Sequence, residues 1–218
     1  MSETMIAALI GAGATLLVTL ITQLATVFIS KYKSSLEMRQ KEYQSKRGNL
    51  HEVYKTLISV INLFPNVSPN DILKYVEYAP NYSLEHFDSI LKSLDYQIED
   101  YQGQLNISSI DFERKNHIET QISNREYVKK EISKIRDEYY KARDKYKAFC
   151  ESEKVIFDLY AGQDVRNCLV EFEVVIHNVF VSGRSVGDVD DPLDNMITIS
   201  RRKLVNSMRN DIGINRNI

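Results

Sequence analysis

The sequence predicts an all-α protein in which an N-terminal transmembrane helix precedes a cytosolic helical bundle with a long antiparallel, coiled-coil-like hairpin. Residues 5–30 carry no charge, and apolar residues recur at helical spacing through most of the remaining chain. Glycine and proline, at 8 and 4 of 218 residues, are scarce, which argues against many short strands and against disorder. We expect three parts: a transmembrane helix (1–30), a basic juxtamembrane stalk helix (31–64) and the bundle (65–218).

The segment from Met5 to Ser30 is long enough to span a membrane, because about 20 apolar residues cross the hydrocarbon core. A signal peptide is the alternative, but it needs a basic segment before the apolar run, and only Glu3 is charged there. Six basic and two acidic side chains follow at 31–47. The positive-inside rule therefore predicts a single-pass inner-membrane protein with its N-terminus outside and its C-terminal domain in the cytoplasm. The basic residues nearest the membrane are the predicted contacts with anionic lipid: Lys31, Lys33, Arg39 and Lys41.

One face of the predicted transmembrane helix carries small and hydroxylated residues along its whole length. They follow one another at steps of three or four: Thr4, Ala8, Gly11, Thr15, Thr19, Thr22, Thr26 and Ser30. Small residues let helices approach closely, and hydroxyl groups can hydrogen-bond across an interface. The stripe therefore indicates self-association, and in an oligomer it could line a narrow polar path. The alternative is that each threonine bonds the carbonyl four residues earlier in its own helix.

The stalk helix ends at Pro65, and its apolar face is spaced for burial: Leu50, Tyr54, Leu57, Ile61 and Phe64. Ser68 and Pro69 then predict the N-terminus of a short helix, because serine is a good N-cap and proline suits the first helical position.

Two apolar seams with heptad-like spacing predict the hairpin, with its turn at residues 103–109. The first seam is Phe87, Leu91, Leu94, Ile98, Tyr101 and Leu105, and the second is Val128, Ile132, Ile135, Tyr139, Ala142, Tyr146 and Phe149. Residues 110–160 lack glycine and proline, and a helix of that length either projects beyond its partner or breaks. A break is expected near Ser123, where a second capping box begins and Arg125 interrupts the seam.

The C-terminal part predicts two further helices. Residues 170–181 have the composition of an edge strand. Yet their apolar residues also trace a helical face, and no second strand is available for pairing, so we expect a helix. Residues 182–192 should form a loop, and the last helix is expected at 193–211.

The sequence assembles no catalytic motif, so we expect a non-enzyme without cofactor or metal. No nucleotide-binding glycine loop, zinc-protease motif or cysteine pair with metal-ligand spacing occurs. The net charge of −2 does not favour nucleic acid as a partner. The acidic cluster at residues 188–194 fits a solvated loop better than a calcium loop. A second basic group is a possible anion contact, or else a solvated helix terminus: Arg201, Arg202, Lys203 and Arg209.

Two C-terminal stretches, LYAGQDVRNCLVEF at 159–172 and RRKLVNSMRNDIGI at 201–214, follow the charge-free span and basic stalk. The layout resembles a diffuse class of uncharacterised bacterial single-pass membrane proteins whose cytosolic helical bundles end in an MR-(D/E)-L-G type signature. Asn210 and Ile212 depart from that signature. The resemblance implies a membrane effector or accessory role, since some members of the class occur among phage-defence genes.

Two functional hypotheses follow. In the first, the protein is a non-enzymatic membrane effector or regulator, and the resemblance implies a role in antiviral defence. Its bundle senses a cytosolic protein or an anionic ligand, and its transmembrane helix self-associates into a homo-oligomer. In the second, the helix only tethers a scaffold that recruits a partner protein through the bundle. An enzyme ranks third, because a catalytic cleft needs convergent titratable groups that the sequence does not assemble.

Overall fold

The computed structural model describes residues 3–107, 110–187 and 195–214, with side chains described from Val18 onward except at Leu20. All regular structure in these residues is helical, which confirms the predicted all-α class. The described residues form seven helices: α1 Glu3–Ile61, α2 Pro69–Leu73, α3 Phe87–Leu105, α4 Phe112–Ser152, α5 Lys154–Tyr160, α6 Gln163–Phe180 and α7 Met196–Asp211. The segment at 170–181 is therefore helical, as its apolar face predicts, and not a strand.

The chain divides into two compact units, Met1–Gly48 and Asn49–Ile218. Helix α1 supplies residues to both, and the second unit contains all the other helices. The first unit consists of the N-terminal part of α1. The second unit is the helical bundle.

The larger core of the bundle surrounds the last turns of α1. All five residues of the predicted stalk seam are buried there, with Leu57 and Ile61 at 0 % exposure. They pack with the second half of α4 and with α5, α6 and α7. Burial of this face explains why the helix is regular up to Ile61, since tertiary packing supplies most helical stability.

A second core joins α2, α3 and the first half of α4. Ile90 and Leu94 of α3 meet Val128 and Ile132 of α4 in this cluster. Polar pairs along its edge show that the two helices run antiparallel: Gln97 bonds Arg125, Asp95 bonds Lys129, and Asp88 lies 4.0 Å from Arg136. The two seams predict this pairing, but of the second seam Val128 and Ile132 take part in it, whereas Ile135, Tyr139, Ala142 and Phe149 lie in the larger core.

The predicted break near Ser123 is wrong. The segment 110–160 breaks instead at Glu153, between α4 and α5, and α4 extends beyond its partner α3. Helix α4 runs unbroken from Phe112 to Ser152. Its first half packs on α2 and α3, and its second half packs in the larger core. Helix α3 covers only part of α4, and helices that are distant in sequence cover the rest. The helix continues through Arg125, because hydrogen bonds to Gln97 and Glu77 satisfy its buried side chain within the apolar seam.

Ser68 fastens the start of α2 as predicted. Its hydroxyl oxygen accepts a hydrogen bond from the Asn70 N–H (3.1 Å) and donates to the carbonyl of Arg184 (2.9 Å). The neighbouring Asp71 carboxylate is 2 % exposed and accepts from Ser185, from the Val186 N–H at 3.1 Å and from Lys74 at 2.8 Å. Ser68, the N-cap of α2, and Asp71 within α2 therefore hold residues 184–186, the segment that follows α6.

The Asp71 network predicts acid-sensitive stability. Burial alone would raise the pKa of Asp71, but hydrogen bonds from Lys74, Ser185 and Val186 outweigh it and lower the pKa below the ordinary 3.8. A lowered pKa in the folded state stabilises the protein above the ordinary value, and this stabilisation is lost as the pH falls through the folded-state pKa. We expect Asp71→Asn to cost about 1–3 kcal/mol at neutral pH. The difference from wild type, measured by urea unfolding of the full chain, should shrink below about pH 4.

Asp211 joins three helices near the C-terminus. Its carboxylate accepts hydrogen bonds from the Tyr54 hydroxyl (2.5 Å) and from the Gly162 N–H (3.0 Å). Tyr54 lies in α1, and Gly162 is the N-cap of α6. Burial and this hydrogen bond raise the pKa of Tyr54. A β-carbon at position 162 would lie 2.5 Å from the Asp211 carboxylate, so a larger residue there would displace the carboxylate from this position. Asp211 thus has a structural role.

We expect Asp211→Ala to destabilise the chain by about 1–3 kcal/mol, because it leaves a buried hydroxyl and a helix N-terminus without their acceptor. The neighbouring exposed side chain gives a matched control, and Asn210→Ala should change stability by less than about 0.5 kcal/mol. Thermal unfolding of the full chain in mild detergent measures both. Equal effects of the two substitutions would contradict the assigned role of Asp211.

Candidate functional site

The predicted packing stripe of the transmembrane helix lies on α1 in the first unit. The side chains of Thr4, Ala8, Gly11 and Thr15 lie outside the described residues. Among the described positions, the hydroxyl of Thr22 donates to the carbonyl of Val18 (2.8 Å), and that of Thr26 donates to the carbonyl of Thr22 (2.7 Å). These are the bonds within one helix that the alternative interpretation expects.

Large apolar side chains surround these threonines and are uncovered within the single chain. Six of them between positions 18 and 29 are 55–80 % exposed: Val18, Ile21, Leu24, Val27, Phe28 and Ile29. The predicted lipid contacts follow on the same helix and are exposed: Lys31, Lys33, Arg39 and Lys41. Across the part of the chain that the structure describes, none of the helices combines the length and apolar character needed to cross a membrane.

The second predicted site, the basic group at the C-terminus, is divided among different partners. Arg201 donates to the carbonyls of Ile61 (3.1 Å) and Phe64 (2.8 Å) and to the side chain of Asn66 (2.5 Å). It thereby satisfies carbonyls at the C-terminus of α1, and burial lowers its pKa.

The other members of the basic group are on the outer side of α7. Lys203 pairs with Glu171 of α6 at 2.6 Å. Arg202 and Arg209 are exposed. The acidic cluster predicted as a loop, Asp188, Asp190, Asp191 and Asp194, lies outside the described residues. Elsewhere, in the described ranges, His, Cys, Asp and Glu side chains form no group able to hold a metal ion.

A groove of about 300 Å³ lies between α4 and α6. Phe64, Tyr139 and Phe172 form its buried floor, and the Tyr146 hydroxyl donates to Glu173 at its rim. Burial and the bond to Glu173 raise the pKa of Tyr146. Burial likewise raises the pKa of the adjacent Cys150 thiol. Raised pKa values keep both groups protonated, which does not suit a nucleophile.

A larger cavity of about 540 Å³ opens between α3, α4 and the segment after α2. We call it the Arg125 cavity, and these residues line it: Tyr78, Ser89, Lys92, Ser93, Tyr96, Gln97, Asp100, Tyr101 and Arg125. Its volume falls in the range of about 300–1,000 Å³ that is typical of small-molecule sites.

Arg125 forms the inner wall of this cavity and is 1 % exposed. Its guanidinium donates to the side chain of Gln97 (2.8 Å), to the side chain and carbonyl of Gln121 (2.6 and 3.0 Å) and to the carbonyl of Glu77 (3.0 Å). It also stacks over the Tyr101 ring, 4.6 Å from its centroid. All four hydrogen-bond acceptors are neutral oxygens.

This cavity is not predicted from the sequence, because Tyr101 is assigned there to the packing seam and Arg125 to a helix break. A signal was nevertheless present on α3. Ser89, Ser93, Tyr96 and Asp100 recur at steps of four, three and four, which places them on one face. That polar face is distinct from the apolar seam.

In comparisons with known proteins, no family, curated protein or solved structure matches the chain.

Proposed function

We propose that the protein is a non-enzymatic effector or regulator anchored in the inner membrane by residues 5–30, with its bundle in the cytoplasm. The observation that carries the proposal is the charge-free helical segment whose described apolar side chains are 55–80 % exposed. Exposure of a large apolar surface to water costs free energy. A lipid bilayer would cover this surface, and no partner protein would be needed to do so. The basic residues after Ser30 then set the orientation.

In this proposal the effector acts through self-association of the membrane segment. The bundle senses a cytosolic partner or an anionic ligand, and helices in lipid then associate through small residues and hydroxyl groups. Individual interhelical hydrogen bonds contribute only about 0.6 kcal/mol on average. The homo-oligomer should therefore be weak at rest and strengthen with the signal. An antiviral role rests on the resemblance described above.

A stripe replacement tests this function. The full chain is overexpressed alongside a variant in which Thr15, Thr19, Thr22 and Thr26 are replaced by leucine. The control replaces Leu17, Leu20 and Leu24 on the other faces by isoleucine. We expect growth arrest and dye entry with the native and control chains and neither with the stripe variant. Equal behaviour of all three chains would contradict the effector function.

The second candidate function is a membrane-tethered scaffold, and one observation favours it. Val170 and Val174 of α6 and Met196 and Ile199 of α7 form an apolar patch in which each side chain is 44–56 % exposed. Apolar surface of this kind marks protein-protein contacts. The bonds from Thr22 and Thr26 to their own helix agree with a helix that serves only as a tether.

A further inference from the structure

We propose that the Arg125 cavity binds a nucleotide, with its phosphate toward Arg125 and Lys92 and its base against the tyrosine rings. The inference adds a ligand class to the sensing role in the proposed function. Its test measures binding alone, so either proposal can fail without the other. Charge, aromatic surface and size each contribute an argument.

The cavity wall carries positive charge from Arg125 and Lys92. Within the described residues, no carboxylate pairs with the buried Arg125 or with Lys92. A buried cation without a counter-charge is costly, and a bound anion would compensate it. The guanidinium of Arg125 already makes four hydrogen bonds within the protein, so it contributes positive charge behind the wall, whereas the exposed ammonium group of Lys92 can donate to a phosphate. Ser89 and Ser93 add hydroxyl groups to the same lining.

The rim of the cavity presents aromatic surface. The rings of Tyr78 and Tyr96 are 89 % and 58 % exposed beside the cavity. Exposed rings in such a position are suitable stacking platforms for a planar base. Tyr78 has a left-handed backbone (φ 59°), and its carbonyl accepts a hydrogen bond from Gln97 at 3.3 Å. Gln97 also accepts a hydrogen bond from Arg125. One side chain therefore connects Tyr78 at the rim with Arg125 on the inner wall of the cavity.

The size of the cavity and its acidic residue favour a nucleotide over a bare anion. A cavity of about 540 Å³ is far larger than a phosphate ion requires. Asp100 is the acidic residue in the lining, where it accepts a hydrogen bond from Gln104 at 2.9 Å. A carboxylate repels a phosphate but accepts hydrogen bonds from the hydroxyl groups of a ribose. A molecule with separate phosphate, sugar and base parts therefore fits the lining.

The test is isothermal titration of the purified full chain in mild detergent with AMP, GMP, adenosine and inorganic phosphate. We expect AMP or GMP to bind, and adenosine and phosphate to bind at least about tenfold more weakly, because each lacks one of the two contacts. Lys92→Gln and Tyr96→Leu should each weaken nucleotide binding by about tenfold. Both side chains are exposed, so the variants should retain the fold.

Matched controls come from the exposed side of α4, away from the cavity. Lys130→Gln and Tyr127→Leu remove the same side-chain types from exposed positions, and both should bind like the wild type. The proposal is overturned if neither nucleotide binds at millimolar concentration, or if phosphate alone binds as tightly as AMP. Wild-type affinity in both Lys92→Gln and Tyr96→Leu would also overturn it.

Discussion

Leu94→Asp should unfold the core between α3 and α4. Leu94 is 0 % exposed and packs in the cluster with Ile90, Val128 and Ile132. Loss of a buried leucine costs about 2–5 kcal/mol, and burial of an unpaired carboxylate adds several more. We expect a loss of about 5 kcal/mol or more, which is comparable to the whole stability of many domains. Hydrogen exchange of the full chain, read by mass spectrometry, should show that α3 and the first half of α4 lose protection.

The control for this substitution is Tyr96→Asp, which introduces the same carboxylate on the same helix at a 58 % exposed position. It should leave amide protection almost unchanged, because a solvated carboxylate has little desolvation cost. Protection that survives Leu94→Asp would mean that the seam is not the packed interface between the two helices.

Gly183→Ala should cause the second-largest loss, about 3–5 kcal/mol. Gly183 has a left-handed backbone (φ 71°), and an added β-carbon would lie 1.9 Å from the carbonyl oxygen of Tyr82. That contact is with backbone, so no side chain can move to relieve it. Nearby, the Leu84 N–H donates to the carbonyl of Val181 at 3.2 Å. The substitution should therefore separate the end of α6 from the segment before α3.

Substitutions at two other glycines distinguish the cost of backbone strain from the cost of steric overlap. Gly187 also has a positive φ (112°), but no atom of the described residues lies within 4 Å of its would-be β-carbon, so Gly187→Ala should cost only about 1–2 kcal/mol. Gly103 lies inside α3, where the described residues likewise leave space for a β-carbon, and Gly103→Ala should stabilise by about 0.5–1 kcal/mol. Urea unfolding of the full chain measures all three. A cost at Gly183 no larger than at Gly187 would contradict the overlap with Tyr82.

Apolar spacing predicted the helices well because burial leaves a periodic trace in the sequence. The stalk seam from Leu50 to Phe64 is buried at every position, and residues 170–181 form the helix that their spacing indicates. Ser68 was recognisable as a cap because its partner, Asn70, is local. These features depend on neighbours within a few residues, which a single sequence contains.

Contacts between distant segments could not be predicted in the same way. The bonds from Arg125 to Glu77 and Gln97 span 48 and 28 residues, so the polar residue in the seam was mistaken for a break. Arg201 was grouped with its basic neighbours, whereas it donates to carbonyls about 140 residues earlier. In both cases the sequence shows a polar residue at an unusual position, but the residues that accept its hydrogen bonds are too distant in sequence to be predicted.

Self-association of the membrane segment is the central claim, and cysteine cross-linking in nanodiscs tests it most directly. Cys150→Ser and Cys168→Ala remove the two native thiols, and single cysteines are then placed at Thr19, Leu17 or Leu20 of the full chain. We predict that the cysteine at Thr19 gives the highest disulfide yield, because the stripe would face the neighbouring helix. Equal yields at the three positions, or a monomer in both mild detergent and nanodiscs, would contradict the claim and leave the scaffold.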